Sequence, residues 1–223
     1  MKPVTPAIAD MTLDELRLEL AGDIAASAVF DGWSEEAVKN AAAARGVDPN
    51  VARIAFEGRA TDMIAAWIAS IDAAMAAAVP TESLEGVSIR ERIRRLVQFR
   101  LDALAGKEEA LKRALAIMAM PQNVSASLRR GWQSADVMWR LAGDTATDYN
   151  HYTKRATLSG IYAATLAVFA DDHSEGKAET RAFLDRRIDE VMRFEKAKAR
   201  MLRPAEERFS MVRLLGRLRY PTR

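Results

Sequence analysis

The sequence predicts an all-α fold, and three observations carry that expectation. Ala, Leu, Arg and Glu dominate its 223 residues, with only 11 Gly and 7 Pro, a composition of strong helix formers. No segment alternates with period two or concentrates β-branched residues, so no sheet is expected. The breaks are well separated, at Asp31-Gly32, Arg45-Gly46-Val47-Asp48-Pro49, Val79-Pro80, Gly106, Met120-Pro121, Gly143-Asp144 and Arg203-Pro204. Between them the spacing predicts helices over 12–30, 34–45, 49–57, 59–79, 88–105, 107–119, 124–142, 147–171, 177–200 and 205–219. Ser34-Glu35-Glu36-Ala37 and Thr145-Ala146-Thr147-Asp148 supply oxygens where the first amides of a helix need acceptors. With 49% apolar residues, a substantial core is expected and wholesale disorder is not.

The first three helices read as one unit. An Ala- and Leu-rich helix runs into Phe30-Asp31-Gly32-Trp33, followed by Ser34 to Arg45, a tight turn over Gly46 to Pro49, and a short helix from Asn50 to Phe56. That is helix-turn-helix spacing, and its N-terminal position resembles the TetR regulator architecture. A recognition helix needs donors for base edges and cations for phosphates. This one offers Asn50 and Arg53, and otherwise Val51, Ala52, Ile54 and Ala55. A retained helical module is therefore expected rather than a nucleic-acid binder, with a DNA-binding regulator as the alternative.

Composition also limits the chemistry. There is no cysteine, which excludes disulfides and thiolate metal sites. The two histidines, His151 and His173, are far apart, and no Glu-x-x-His pair exists for a di-iron carboxylate centre. No phosphate-binding Gly-rich loop, nucleophile elbow or His-Glu-x-x-His helix is found. Asp171-Asp172-His173 is read as a solvated helix end. No catalysis, no metal and no cofactor are expected. The N-terminal residues lack a secretory or import pattern, and the charge-free run between Arg155 and Asp171 is too short and polar to span a bilayer, so a cytoplasmic location is expected.

The richest stretch runs from Trp132 to Arg155. It contains Trp132-Gln133-Ser134-Ala135-Asp136-Val137-Met138-Trp139, then Leu141-Ala142-Gly143-Asp144 and Thr147-Asp148-Tyr149-Asn150-His151-Tyr152-Thr153-Lys154-Arg155. Two helices meet at the Gly143-Asp144 turn. The second is apolar almost all round, which predicts a centrally buried helix, and its Ala156, Ser159, Gly160, Ala163 and Ala164 leave room for something to pack against them. Asp148 also suits a helix cap, Arg155 a pair with a nearby carboxylate, and Tyr152 a place in the core.

This run, continued through Leu158 and Gly160-Ile161-Tyr162, resembles the coenzyme Q (ubiquinone) biosynthesis lipid-binding accessory family. The resemblance extends to Gly32-Trp33 and to Thr180, Phe183, Leu184 and Arg187. It implies a TetR-like fold that dimerises, holds isoprenoid lipid where regulators hold effectors, and docks onto the demethoxyubiquinone hydroxylase. The implied docking positions are Asp136, Met138, Asp148, His151, Tyr152 and Arg155. The family usually has Trp where this chain has His151, and an aromatic anchor is a frequent interface hot spot.

The chain carries 10 Met, which suit an irregular apolar ligand as well as ordinary packing. Met118, Met120, Trp139, Ile161, Tyr162, Leu166 and Phe169 are the expected pocket walls. Net charge is +2, but Arg208, Arg213, Arg217, Arg219 and Arg223 follow the last acid. Met211, Leu214, Leu215 and Leu218 share one helical face, with Arg213 and Arg217 opposite. A basic amphipathic helix of this kind reads as a membrane-surface element, each arginine adding about 1 kcal/mol near anionic lipid. Expected organisation is a helix-turn-helix module at 1–58, a lipid-binding and dimerisation body at 59–203 and a basic tail at 204–223. The tail would hold the chain peripherally on a bacterial inner membrane.

Overall fold

The computed structural model describes residues 10–147 and 149–201. Among the described residues there are nine α-helices and no strand: α1 (Leu13–Asp31), α2 (Glu35–Arg45), α3 (Pro49–Phe56), α4 (Ala60–Ala78), α5 (Ile89–Asp102), α6 (Glu108–Met118), α7 (Val124–Leu141), α8 (Tyr149–Asp171) and α9 (Ala178–Met201). Nine of the ten expected helices are therefore present, each close to its expected bounds. The tenth, at 205–219, lies outside the described residues.

Local chemistry sets the ends. Thr12 and Glu15 form a reciprocal capping box at α1, with the Thr12 amide donating to Glu15 Oε2 at 2.8 Å. Ser34 accepts the Ala37 amide at 3.4 Å to open α2. Asp48 accepts the Asn50 amide at 2.8 Å, and Pro49 occupies the first turn of α3. The turn between α2 and α3 depends on Gly46, whose φ of 67° is left-handed; a side chain there would be strained even though nothing crowds it.

The chain divides into two compact units, Met1–Asp185 and Arg186–Arg223. In the first, α1 buries Leu16, Leu20 and Ile24 against α2 and α4. Trp33 joins the helix-turn-helix to the body: its Nε1 donates to the Ala110 carbonyl at 3.0 Å, and its ring centroid lies 5.3 Å from that of Trp67. By length and composition α4 would suffice to cross a membrane; here Met63, Ile64, Trp67, Ile71 and Met75 are buried in the protein core. In the second unit α9 continues to Met201.

The end of α8 is locked by Asp172, which is 2% exposed. Its carboxylate accepts from the Ser174 amide and hydroxyl at 2.8 and 2.5 Å, and from those of Thr180 at 2.8 and 2.6 Å. Burial opposes this charge, but the Ser174 and Thr180 hydrogen bonds prevail and hold its pKa far below the usual carboxylate range. Rather than a solvated helix end, Asp172 is the acceptor that starts α9.

The central burial expected of α8 is not observed. One line of α8 is buried, comprising Arg155, Leu158, Tyr162, Thr165, Phe169 and Ala170, while Ala156, Gly160, Ala163, Ala164 and Ala167 are exposed. Alanine and glycine carry so little apolar area that exposing them costs little. An all-round apolar pattern built from small residues thus fails to distinguish a core helix from a surface one.

Candidate functional site

A cavity of about 600 Å³ lies between α4, α6, α7 and α8 and the end of α5. Four helices each contribute a stripe at i, i+3, i+4 and i+7. These are Ile64, Trp67, Ile68 and Ile71 on α4; Leu111, Ala114, Leu115 and Met118 on α6; Val124, Ser127, Leu128 and Gly131 on α7; and Ala156, Ser159, Gly160 and Ala163 on α8. The spacing puts each set on one helix face. Space remains because Ala114, Gly131, Ala156, Gly160 and Ala163 are too small to fill it. The space is open at one side rather than a sealed void, and it lies within the size range of small-molecule sites.

The walls change character along the cavity. Leu128 is 71% and Val124 40% exposed, which places them at a mouth with the exposed Gly160 and Ala163 of α8. At the buried end Arg100, Ser134 and Tyr162 are 1%, 1% and 6% exposed. Arg100 pairs with Asp72 through Nη1 and donates from Nη2 to Ser134 Oγ at 3.2 Å. Ser134 Oγ donates in turn to Asp72 Oδ2 at 3.0 Å, and the guanidinium carbon sits 4.8 Å from the Tyr162 ring centroid. Burial works against the Arg100 charge, but Tyr162 and Asp72 hold its pKa above the ordinary value. Burial also raises the pKa of Asp72, against the pull of Arg100 and Ser134.

Of the expected pocket residues, Met118, Tyr162 and Leu166 line this cavity. Met120, Trp139, Ile161 and Phe169 do not. Met120 follows the end of α6 and is 43% exposed. Trp139 turns its Nε1 to the Lys154 carbonyl at 3.0 Å, with Lys154 Nζ over its ring at 5.3 Å. Phe169 is buried under Lys177 Nζ at 4.6 Å. Ile161 falls one residue off the cavity stripe of α8. The α4 stripe and Arg100 were not anticipated from the sequence. The sign was nonetheless available, because Arg100 sits at i+7 of the buried α5 line Ile93, Leu96, Val97, Arg100.

A second cluster joins α7 to the start of α8. Arg155 is 2% exposed; its Nε donates to Asp136 Oδ1 at 2.6 Å and its Nη1 to Asp144 Oδ2 at 3.0 Å and the His151 carbonyl at 3.2 Å. Lys154 Nζ adds a bond to Asp144 at 2.6 Å. Burial opposes the Asp144 charge, but Lys154 and Arg155 outweigh it and lower its pKa. Beside this clamp, the Trp132 ring lies 6.0 Å from Tyr152 and 6.4 Å from His151. His151 meets Tyr152 edge-on at 5.2 Å, and its Nδ1 is 3.0 Å from the Ala146 carbonyl. Tyr149 and Tyr152 are 73% and 61% exposed.

The expected docking positions therefore separate. Tyr152 presents a surface, and half-buried His151 lies at its edge. Tyr152 is no core residue. Met138, fully buried, and Arg155 cannot touch a partner on this face as folded; they lie beneath it because α7 packs on α8 there. Asp136 is mostly covered by Arg155 and Arg140. Asp148 lies outside the described residues, as do Met211, Arg213, Leu214, Leu215, Arg217 and Leu218.

The COQ9 family profile matches residues 124–195, which hold α7, α8 and the cavity's α7–α8 walls. The ubiquinone biosynthesis protein COQ9, mitochondrial, of Rattus norvegicus is 33% identical over 168 residues, covering 72% of this chain and 54% of the relative. The chain belongs to the COQ9 family. The human COQ9 protein is 30% identical over 72% of this chain, and the probable Dictyostelium discoideum relative 25% over 73%. The chain spans about half the length of these curated COQ9 relatives. Its fold is TetR-like: a TetR transcriptional regulator from Nitrosomonas europaea superposes with a TM-score of 0.63 at 22% identity, covering 79% of this chain and 98% of the regulator. That likeness concerns fold alone. The outward face of α3 in this COQ9-family chain carries Val51 and Ile54, exposed by 41% and 59%, beside Arg53 and Glu57, a poor match to a phosphate backbone.

Proposed function

We propose that this chain is a non-catalytic lipid-binding accessory protein of ubiquinone biosynthesis. It holds an isoprenoid quinone precursor in the α4–α8 cavity and presents it at the membrane to the demethoxyubiquinone hydroxylase. The observation that carries this reading is an apolar cavity of about 600 Å³ in a COQ9-family chain, opening between exposed Leu128 and the small residues of α8. Docking falls to the exposed ring surface of Tyr149 and Tyr152 with His151 and Trp132, held in place by the Asp136–Arg155–Asp144 clamp. Aromatic surface of this kind is enriched in interface hot spots. The family resemblance implies a homodimer, and the basic tail suits a membrane surface.

Mass spectrometry of organic extracts from the purified protein tests the reading. Enrichment of isoprenoid quinone precursors over bulk phospholipid is expected. A protein that carries no such lipid and takes up none when offered sinks it.

A further inference from the structure

The buried end of the cavity holds a charged pair in otherwise apolar surroundings. Arg100 is 1% exposed and yet borders the cavity, which Ser134, Tyr162 and Trp67 also line. Both roles of the Ser134 hydroxyl are used, since it accepts from Arg100 and donates to Asp72. The Arg100 Nε–H, by contrast, is buried with no acceptor. A guanidinium offers only donors, and a buried donor left unmatched is unfavourable. A ligand that matches it must bring an acceptor.

Charge narrows the choice. Arg100 and Asp72 neutralise each other, so an entering carboxylate or phosphate would add an unbalanced negative charge beside Asp72 where water is scarce. An uncharged carbonyl, ether or hydroxyl oxygen adds none.

We propose that Arg100, supported by Asp72, Ser134 and Tyr162, is a head-group site that selects lipids with an uncharged, hydrogen-bond-accepting head. The tail then lies along the small-residue walls toward Leu128. The inference rests on the reading of the cavity as a lipid site, and adds which end of the lipid enters first and what its head must be.

Three probes with the same fifteen-carbon tail separate the possibilities: farnesyl methyl ether, farnesene and farnesoate, titrated into the full chain and followed by tryptophan fluorescence. The ether is expected to bind about tenfold tighter than either of the others. In the paired variant Asp72→Leu/Arg100→Met, which keeps the site neutral, the ether's advantage over farnesene is expected to vanish while farnesene affinity holds. Should that variant fail to fold, the ranking of the three probes on the native chain still decides. Equal binding of ether and farnesene, or tightest binding of farnesoate, overturns the head-group site and leaves the lipid cavity standing. Failure of all three to bind overturns the cavity reading and the head-group site with it.

Discussion

Arg155 and Arg100 are both all but inaccessible, at 2% and 1% exposure, and both lie among helices that build the cavity, but their surroundings differ. Arg155 meets two carboxylates and a backbone carbonyl and does not line the cavity. Arg100 meets one carboxylate, the Ser134 hydroxyl and the Tyr162 ring, leaves Nε without an acceptor, and borders a cavity. A buried arginine whose Nε and Nη1 are taken by carboxylates and a carbonyl of the chain joins elements, here α7 to the start of α8. One with a donor to spare beside open space has capacity for a ligand. Burial alone does not separate the two roles; the count of acceptors does.

The comparison can be broken most decisively at the clamp. Arg155→Ala removes the shared partner of Asp136 and Asp144, leaving them Arg140 and Lys154 alone, and is expected to cost about 1.5–3 kcal/mol, read from urea unfolding. A loss under about 1 kcal/mol would reduce the clamp to an ordinary surface pair. On the cavity side, Gly160→Phe places a ring where a Cβ meets nothing within 4 Å. Lipid affinity is expected to fall more than tenfold, over ~1.4 kcal/mol, while the unfolding midpoint holds or rises because glycine is a weak helix former. Undiminished uptake would place the lipid elsewhere.

Tyr152→Ala sharpens the contrast between clamp and surface. Stability should stay within about 0.5 kcal/mol, whereas hydroxylase affinity in a pull-down titration should drop about tenfold. A destabilised variant with unchanged affinity would mean that the exposed ring is structural. The mildest effect is on pH dependence. Asp172 and Asp144 have lowered pKa values in the fold, so at acid pH the unfolded chain binds protons that the folded one does not. Their stabilisation is fully present above the ordinary aspartate value of about 3.9 and is lost as pH falls through the folded values. Asp72, raised by burial, opposes this in part. Asp172→Asn should flatten the acid limb of stability against pH, and an unchanged limb would remove Asp172 from the account.

Only part of the candidate site was legible in residues close together along the chain. Met118, Tyr162 and Leu166 were readable as apolar positions on strongly patterned helices, and the family resemblance of 132–155 marked the α7–α8 junction. Asp136, Met138 and Arg155 carried the same signature without revealing which would face outward. A residue needed by the junction for packing and one needed for docking leave the same trace in sequence.

What the sequence by itself determined is local. The helices, their caps at Thr12, Ser34 and Asp48, the left-handed turn at Gly46 and the helix-turn-helix spacing follow from backbone chemistry within a few residues. Only the tertiary structure decided that α8 lies at the surface, that stripes from α4, α6, α7 and α8 face one another around open space, and that Arg100 closes its buried end. The physical reason is that burial belongs to pairs of helices. Whether Ala156 or Gly160 faces a neighbour, solvent or a void depends on residues such as Ile64 and Leu115, far away in sequence, and no local period records that.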